Sequence, residues 1–455
     1  MGNVVVRNGT VIDPGGIFRG DVKFAGERIV ALGQGLRGDD EIDATDCYVL
    51  PGAVDPHVHL QMPVGEYLSS DGFQSGTLAA ACGGTTTVID FVEPVDEEPL
   101  LHALANRRAQ ADHCVAIDYG LHMTIPAWHA SDAEVLAGLP AVMDAGVPSF
   151  KLYLAYEGLR LDDVLLRAAL RAVASAGGLP IVHCENGPLC EAMRADAVAS
   201  GKLTPRYHAL TRPPRQEAEA VSRLLDIAAL EGSRIYVVHV SCSEALARLE
   251  AARERGEPVL GETCPQYLAL TASALDGPHG ERFICAPPLR SSADQSELWR
   301  ALNRGSLDLL ATDHCPFTAG EKAGHADFTT IPGGLPSIEA RLSLAHTLGV
   351  CAGILSLERW VEICCNAPAR IFGLTGKGRL APGYDADLVV FDPKKEIVLG
   401  TDVLHEDVDW TPYEGMRLTG WPRHVLSRGR PVVRNGDYVG RAGWGQFAAR
   451  EASPT

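Results

Sequence analysis

The sequence predicts an α/β fold: a (β/α)₈ TIM-like barrel with a small β-sandwich domain formed from the N- and C-terminal segments. Two observations predict it. Eight apolar, strand-like segments in the middle of the chain each end in polar residues, and the early ones recur at about the length of one strand-helix unit. Both ends of the chain carry short β-prone segments instead. A chain of 455 residues is long enough for one large barrel with an accessory domain.

The eight predicted barrel strands share a polar terminus. In chain order these termini are His57 and His59, Asp90, His122, Lys151, His183, His239, Glu262 and Asp313. Helical patterns such as 161–176 and 215–231 lie between them, as parallel strands require. Because the carboxyl ends of barrel strands meet on the face that carries active sites, we expect these polar residues to share one site. The longer gaps after His183 and before Asp313 predict extended loops or extra helices over it.

The two ends of the chain form the second predicted domain. Asn8-Gly9 and Asn435-Gly436 each lie between apolar β-prone residues, which is the pattern of a hairpin turn. Neither end can bury both faces of a sheet alone, so we expect one composite β domain. The predicted division is 1–52 and 380–455 for this domain and 53–379 for the barrel.

Composition excludes several classes of function. The formal net charge of −18 would repel nucleic acid and anionic membrane surfaces, so neither is an expected partner. No apolar run approaches the roughly 20 residues of a membrane helix, and the N-terminus lacks a signal-peptide pattern. The 12 cysteines are scattered and predict reduced thiols in a cytoplasmic protein.

The histidines at the strand ends predict a metal site. His57 and His59 are two residues apart on a strand, so their side chains point the same way and suit one metal ion. Such a pair is a weak signal alone, but His183, His239 and Asp313 add three ligand-type residues on the same face. Each one singly is explained as a buried, hydrogen-bonded polar residue. Together, these buried polar side chains would need several neutralising partners at one end of the barrel, which favours a bound metal ion.

Lys151 is the unusual member of this set. An ammonium group beside metal cations would carry a large cost in desolvation and repulsion. If its neutral amine captures carbon dioxide, it becomes a carbamate, a carboxylate on a long arm that can bridge two metals. A lysine paired with a nearby carboxylate is the alternative that local sequence leaves open.

Seven motifs carry a resemblance to a known family. They are residues 51–63, Gly83-Gly84-Thr85-Thr86, Ser149-Phe150-Lys151, Val182-His183-Cys184-Glu185-Asn186-Gly187, Val238-His239-Val240-Ser241, Thr312-Asp313-His314-Cys315-Pro316-Phe317 and Gly383-Tyr384-Asp385-Ala386-Asp387-Leu388-Val389. With these motifs the sequence resembles the cyclic amidohydrolases, specifically the dihydropyrimidinase and D-hydantoinase group. The resemblance covers nearly the whole chain.

The resemblance implies two divalent metal ions, with zinc expected and manganese or cobalt as substitutes. His57, His59 and Asp313 would bind the buried ion, His183 and His239 the more exposed one, and Lys151, as N6-carboxylysine, would bridge them with a hydroxide. A hydroxide nucleophile would then exist near neutral pH. Asp313 would take its proton and pass it to the departing amide nitrogen.

The resemblance also implies substrate contacts. Tyr156 matches a tyrosine that stabilises the developing oxyanion, although an aromatic packed under a loop is its simpler explanation. Main-chain groups near Ala286 and Gly333 would bind the imide edge of the ring. These two residues replace the serine or threonine and the asparagine of the family, a change that leaves main-chain contacts possible and alters pocket shape.

The loop 62–70 would lie against the exocyclic group of the substrate. Met62, Val64, Tyr67 and Leu68 offer an apolar wall and Glu66 a charge at the rim, so the loop would tune size and enantiomer preference. The alternative is a mobile surface loop without ligand contact.

The expected activity is hydrolytic ring opening of dihydropyrimidines or 5-substituted hydantoins, small cyclic imides, to N-carbamoyl amino acids. Dihydroorotase is disfavoured because Gln61 occupies the position of its carboxylate-binding arginine. Allantoinase is the alternative enzyme, and a non-catalytic dihydropyrimidinase-like scaffold is disfavoured because all six ligand positions are kept. The stretch 410–450 resembles the family tail that packs against other subunits, which implies a homotetramer built from dimers.

Overall fold

The computed structural model describes residues 2–95 and 97–452. It contains eight parallel strands at the positions that the sequence predicts, so the predicted fold class is confirmed. In chain order the barrel strands are Ala53–Asp55, Thr85–Val92, Asp118–Thr124, Ser149–Tyr153, Leu179–His183, Ile235–Val237, Val259–Thr263 and Leu309–Leu310. Thr85–Val92 is buried along its whole length, as expected for a parallel strand covered on both faces.

The first and eighth strands close the barrel just beyond their ends. The N–H of His59 donates to the carbonyl of His314 at 2.8 Å, and the N–H of Asp313 donates to the carbonyl of His57 at 2.9 Å. The Asp55 carboxylate accepts a further bond from the Thr312 hydroxyl at 2.7 Å. Barrel closure therefore joins the two segments that carry His57, His59 and Asp313.

Helices connect the strands and begin and end at recognisable residues. Asp163–Ala176 begins after Asp162, whose carboxylate accepts from two backbone N–H groups, and ends at Gly177 with a φ of 79°. The α-helices are Phe73–Cys82, Leu100–Ala111, Ala127–Ala130, Ala133–Ala137, Leu139–Asp144, Asp163–Ala176, Gly187–Ala199, Arg206–Leu210, Pro214–Glu231, Ser243–Glu254, Pro265–Ala269, Ser292–Arg304, Ala319–Lys322, Arg341–Ala345, Leu357–Val361 and Ala367–Ile371. No helix among the described residues has the length and apolar character needed to span a membrane.

The predicted long connections contain the extra helices. Gly187–Ala199 and Arg206–Leu210 follow His183, while Pro265–Ala269 and two 3₁₀ helices, Ala272–Asp276 and Gly280–Phe283, precede Asp313. Two π-helical turns, His346–Cys351 and Glu362–Asn366, interrupt the last helices of the chain.

The terminal segments share one nine-stranded, mostly antiparallel sheet, as expected for a composite β domain. Its strands are Asn3–Asp13, Gly16–Ala25, Arg28–Gly33, Asp40–Asp43, Tyr48–Pro51, Leu388–Val398, Arg417–Ser427, Arg430–Arg434 and Asp437–Tyr438. Tyr48–Pro51 joins the two ends of the chain, because it pairs with both Asn3–Asp13 and Leu388–Val398. A separate two-stranded hairpin, Pro63–Val64 with Tyr67–Leu68, stands near the carboxyl end of the first barrel strand.

One of the two predicted Asn-Gly turns is wrong. Asn435-Gly436 does form the turn between Arg430–Arg434 and Asp437–Tyr438. Asn8-Gly9 instead lies inside the strand Asn3–Asp13, where Asn8 has a φ of 64° and the pairing register shifts, which makes it a β-bulge. Residues before and after the bulge pair with different strands on the same side, Asp40–Asp43 and then Tyr48–Pro51, so the chain continues straight through.

The C-terminal tail packs on the barrel of its own chain. The N–H of Tyr119 donates to the carbonyl of Gln446 at 3.0 Å, and the Phe447 ring contacts the Tyr119 ring. Arg450 is buried and donates to the Leu121 carbonyl and to the Ser149 hydroxyl. Part of the stretch 410–450 is therefore committed to contacts within its own subunit.

Candidate active site

Three of the predicted ligands meet where the barrel closes. His57 Nε2 lies 3.2 Å and His59 Nε2 lies 3.1 Å from Oδ1 of Asp313. The two Nε2 atoms are 3.2 Å apart. One carboxylate oxygen and two imidazole nitrogens at these separations form a donor set of the kind that divalent metals bind.

His183 and His239 lie beside this group. His183 Nδ1 is 2.9 Å from His239 Nε2, and the rings of His57 and His239 are 5.5 Å apart between centroids. The structure thus gathers four imidazoles from three separate barrel strand ends into one buried cluster.

Two buried glutamates orient the imidazoles. Oε1 of Glu262 lies 2.5 Å from His57 Nδ1, and Oε2 of Glu185 lies 3.1 Å from His183 Nε2. Burial lowers the pKa of His57 and of His183, so each ring is neutral and gives its one N–H to its glutamate. The opposite nitrogens then present lone pairs to the cluster, the form in which histidine binds metal. Neither glutamate has a role that the sequence pattern alone predicts, although Glu262 ends the seventh predicted strand and Glu185 follows His183 by two residues.

This donor set fits divalent cations. With its proton directed to Glu262, His57 Nε2 is an acceptor that faces a second acceptor, Asp313 Oδ1, at 3.2 Å. Two acceptors at that separation repel each other unless a cation lies between or beside them. Burial opposes the charge on Asp313, and the hydrogen bond between His59 Nε2 and its Oδ1 at 3.1 Å favours the ionised carboxylate.

Lys151 lies in the same cluster without a counter-ion. Its side chain is 1% exposed, and its amine lies 5.0 Å from the ring centroids of both Phe91 and Tyr153. Among the described residues it has neither a hydrogen bond nor a salt bridge, which removes the simple ion-pair explanation. Burial lowers the pKa of Lys151 although the Asp313 and Glu262 carboxylates oppose that shift, so the neutral amine is favoured.

Three site residues have left-handed backbone conformations. The φ angles are 69° for Tyr156, 39° for His239 and 53° for Asp313. Such angles are uncommon for residues with a Cβ atom and concentrate at functional sites, where surrounding structure enforces them. They direct these side chains toward the cluster in a way that strand periodicity alone does not predict.

Tyr156 has a free hydroxyl. Its ring packs on His183, with centroids 4.9 Å apart, and on Tyr153 at 5.7 Å. Its hydroxyl has no hydrogen-bond partner within the described part of the chain, whereas the neighbouring Tyr153 hydroxyl donates to Glu93 Oε1 at 3.0 Å. Burial raises the pKa of Tyr156, so its hydroxyl keeps the proton that a donor needs.

A cavity of 560 Å³ opens above the cluster. This volume and its mixed polar and apolar walls suit a small-molecule ligand. The predicted residues that line it are His59, Met62, Val64, Lys151, Tyr156, His183, His239, Ala286, Asp313 and Gly333. His57 lies beneath the cavity floor and is 1% exposed.

Two predicted substrate contacts in the loop 62–70, Tyr67 and Leu68, lie outside this cavity, as does the predicted rim charge Glu66. Tyr67 packs against the Phe317 ring at 6.4 Å, and Leu68 lines a neighbouring cavity and is 47% exposed. In the hairpin, Val64 pairs with Tyr67 and Pro63 with Leu68, and it is Met62, Pro63, Val64 and Gly65 that line the cavity over the cluster. Gln61 also lines the neighbouring cavity rather than this one.

The main-chain N–H and carbonyl groups of Ala286 and Gly333 are free of hydrogen bonds to the described residues. Neither residue uses its N–H or its carbonyl in a hydrogen bond with the described residues, and both line the cavity. A Cβ atom added to Gly333 would meet nothing within 4 Å, so open space stands where the family carries an asparagine. These backbone groups are available for a ligand.

Known proteins resemble this chain over nearly its whole length. Residues 48–432 match the amidohydrolase family. D-hydantoinase from Geobacillus stearothermophilus is 43% identical over 98% of this chain and 96% of its own length. The solved D-hydantoinase from a Bacillus sp. AR9 has a TM-score of 0.97 at 42% identity and covers 99% of this chain and 100% of its own. Dihydropyrimidinase from Brevibacillus agri NCHU1002 has a TM-score of 0.97 at 41% identity and covers both chains fully. The chain therefore belongs to the amidohydrolase family, within its hydantoinase and dihydropyrimidinase group.

Proposed function

We propose that this protein is a metal-dependent cyclic amidohydrolase that opens 5-substituted hydantoins or dihydropyrimidines to N-carbamoyl amino acids. One observation carries the proposal: four imidazoles, an aspartate and a buried lysine that has no ion pair among the described residues converge beside a cavity of 560 Å³. Full-length similarity to D-hydantoinases supports the same reaction.

The proposed metal ligands follow from the clusters. His57, His59 and Asp313 would hold one divalent ion, and His183 and His239 a second. When bound, such ions lower the pKa of water toward neutrality and polarise the ring carbonyl. Zinc is the proposed metal, and imidazole and carboxylate ligands also suit manganese or cobalt.

Lys151 is proposed to carry a carbamate that bridges both ions. In this step the amine nitrogen bonds to the carbon of carbon dioxide, one C=O π bond opens onto its oxygen, and the nitrogen releases one proton to solvent, which gives an anionic N6-carboxylysine. The burial of Lys151, its lowered pKa and its lack of an ion-pair partner support it, because each favours the reactive neutral amine. The product would replace an uncompensated lysine with an anion among metal ligands.

Asp313 and Tyr156 are proposed to act on the substrate. Asp313 is ionised and can accept the proton of the attacking water, then donate it to the departing ring nitrogen, where the C–N bond breaks. The unpartnered Tyr156 hydroxyl lines the cavity and can donate to the oxygen that gains negative charge. The two side chains thus have separate tasks.

The remaining groups would select the ring. The free main-chain groups of Ala286 and Gly333 offer donors and acceptors for the imide edge, and Met62 and Val64 offer an apolar wall for the exocyclic group. We keep Tyr67 and Leu68 as proposed contacts that would require the hairpin to move toward the ligand. Gln61 stands at the sequence position of the dihydroorotase arginine and carries no charge, which disfavours dihydroorotate, although Arg194 and Arg212 line the cavity.

Assembly, location and domain division remain proposals. We propose a homotetramer built from dimers, tested by light scattering at micromolar concentration, where a monomer would contradict it. Twelve free cysteines support a reducing, cytoplasmic setting. The proposed division into 1–52 with 380–455 and 53–379 is supported by the sheet that the two terminal segments share.

The decisive experiment is a substrate panel with metal-loaded enzyme. The values of kcat/KM for dihydrouracil, D- and L-5-phenylhydantoin, allantoin and dihydroorotate should be highest for dihydrouracil or a hydantoin. A clear preference for allantoin would establish the alternative enzyme instead. Metal binding without turnover of any ring would favour the scaffold class.

A further inference from the structure

A buried lysine joins two segments of the cavity wall. Lys322 is 0% exposed, and its amine donates to the carbonyl of Ile284 at 3.0 Å and to the carbonyl of Pro332 at 2.9 Å. These carbonyls belong to the segments 284–287 and 331–334, which contain Ala286 and Gly333. Lys322 itself does not line the cavity.

Lys322 has no counter-ion among the described residues. Its amine also lies near the rings of Phe317 and Trp410, with centroids at 5.9 and 6.0 Å, and the nearest carboxylate that acts on it, Glu281, is not within ion-pair distance. An unpaired basic group in an apolar surrounding is costly, and a methionine of similar length would fill the space without that cost. The two backbone carbonyls are therefore the polar contacts that account for a lysine here.

The carbonyls around Ala286 are all bound by other groups of the protein. Ile284 accepts from Lys322 and also from the N–H of Gly334 at 3.0 Å. Cys285 accepts from His208 Nε2 at 2.8 Å, and Pro287 accepts from the Tyr267 hydroxyl at 2.7 Å. Ala286 is the exception, and its main-chain groups remain free. This pattern fixes the backbone while leaving one peptide available.

We propose that Lys322 is a positioning residue for substrate recognition, which rests on the proposed function. By holding the Ile284 and Pro332 carbonyls together, it sets the spacing between the free main-chain groups of Ala286 and Gly333. Those groups bind the imide edge of the ring. His208 and Tyr267 each hold one carbonyl of the first segment, whereas the Lys322 side chain binds both segments and reinforces the backbone bond from Gly334 to Ile284.

The expected effect is on substrate binding. Main-chain contacts to the imide edge hold the ground state and the transition state alike, so their displacement raises KM more than it lowers kcat. Lys322→Met should raise KM for D-5-phenylhydantoin about tenfold and change kcat by less than about threefold. Two metals per chain should remain bound, because the ligand cluster does not involve Lys322.

Arg359→Met is the matched control. Arg359 also donates to two backbone carbonyls, those of Leu302 at 2.7 Å and Leu307 at 2.8 Å. These lie before the amino-terminal end of the eighth barrel strand, away from the cavity. The control should lower the melting temperature without raising KM, which separates positioning from general loss of structure. Hydrogen exchange should accelerate at 284–287 and 331–335 in Lys322→Met alone.

Each outcome decides the proposal. An unchanged KM in metal-loaded Lys322→Met, or an equal rise in Arg359→Met, would overturn it. If Lys322→Met does not fold, Lys322→Gln is measured instead. Its side chain is shorter and keeps a donor, and an unchanged KM in this variant would likewise overturn the proposal. If the wild-type enzyme opens no ring of the panel, the proposed function fails and this inference with it. If the wild type is active and Lys322→Met has an unchanged KM, only the proposed role of Lys322 is rejected.

Discussion

The Tyr156 hydroxyl offers the sharpest test of the proposed chemistry. It has no hydrogen-bond partner among the described residues, and its ring packs on His183 and Tyr153. Tyr156→Phe keeps the ring contacts and removes one group that faces the cavity. Stability should therefore change by less than about 0.5 kcal/mol, because no intramolecular hydrogen bond is lost.

The effect on catalysis should be much larger. Loss of one donor to a developing oxyanion costs about 10²–10³ in kcat, or about 2.7–4 kcal/mol. We expect a fall of that size in kcat for D-5-phenylhydantoin, with two metals still bound and an unchanged melting temperature. Steady-state kinetics, metal analysis and thermal denaturation measure the three quantities.

Tyr153→Phe is the control for this prediction. The Tyr153 hydroxyl lines the same cavity but already donates to Glu93 at 3.0 Å, so its loss should lower kcat less than about tenfold. A kcat for Tyr156→Phe within threefold of wild type would refute the oxyanion role. Loss of metal in that variant would show that the tyrosine acts on the metal cluster instead.

Three further predictions concern charge. Lys151→Arg cannot form a carbamate, so it should bind fewer than two metals and lose about 10³-fold in kcat/KM. Short carboxylic acids should partly restore metal binding and activity to Lys151→Ala. Full activity of Lys151→Arg would reject the carbamate bridge. Lys377, whose amine lies 2.7 Å from Asp118 and 2.8 Å from Asp387, links the barrel to the β domain. Lys377→Met removes the lysine that these buried carboxylates share, while Asp118 keeps its ion pair with Arg428 at 3.1 Å. The change should cost about 3–5 kcal/mol in chemical denaturation, whereas exposed Lys202→Met should cost almost nothing. Burial raises the pKa of Glu406 to about 7 in the folded protein. Because its folded pKa exceeds the unfolded value, Glu406 contributes stability at low pH that is lost as the pH rises through 7. The melting temperature of Glu406→Gln minus that of wild type should therefore be larger at pH 8 than at pH 5.5. An equal difference at the two pH values would contradict this.

Periodicity and strand-end chemistry were enough to predict the barrel and the convergence of its polar ends. The carboxyl ends of parallel barrel strands necessarily share one face, so His57, His59, Lys151, His183, His239 and Asp313 could be grouped from sequence position alone. The two longer gaps, after His183 and before Asp313, also predicted where the extra helices lie. These features depend on local pattern and on the geometry that all such barrels share.

Features that depend on contacts between distant residues required the tertiary structure. The partners of His57 and His183 are Glu262 and Glu185, and only folding brings Glu262 within 2.5 Å of a histidine 205 positions away. Asn8-Gly9 has the local pattern of a turn, yet pairing with two strands on one side made it a bulge.

The role of a side chain was likewise decided by its three-dimensional surroundings. Tyr67 and Leu68 belong to the predicted substrate loop, but the hairpin places them away from the cavity over the cluster. Lys322 has no sequence signal, and its importance arises from two carbonyls on separate segments. Sequence pattern determines which residues reach the active face, because strand direction is a local property. Which atoms meet there depends on packing between segments far apart in the chain, and only the folded structure specifies that packing.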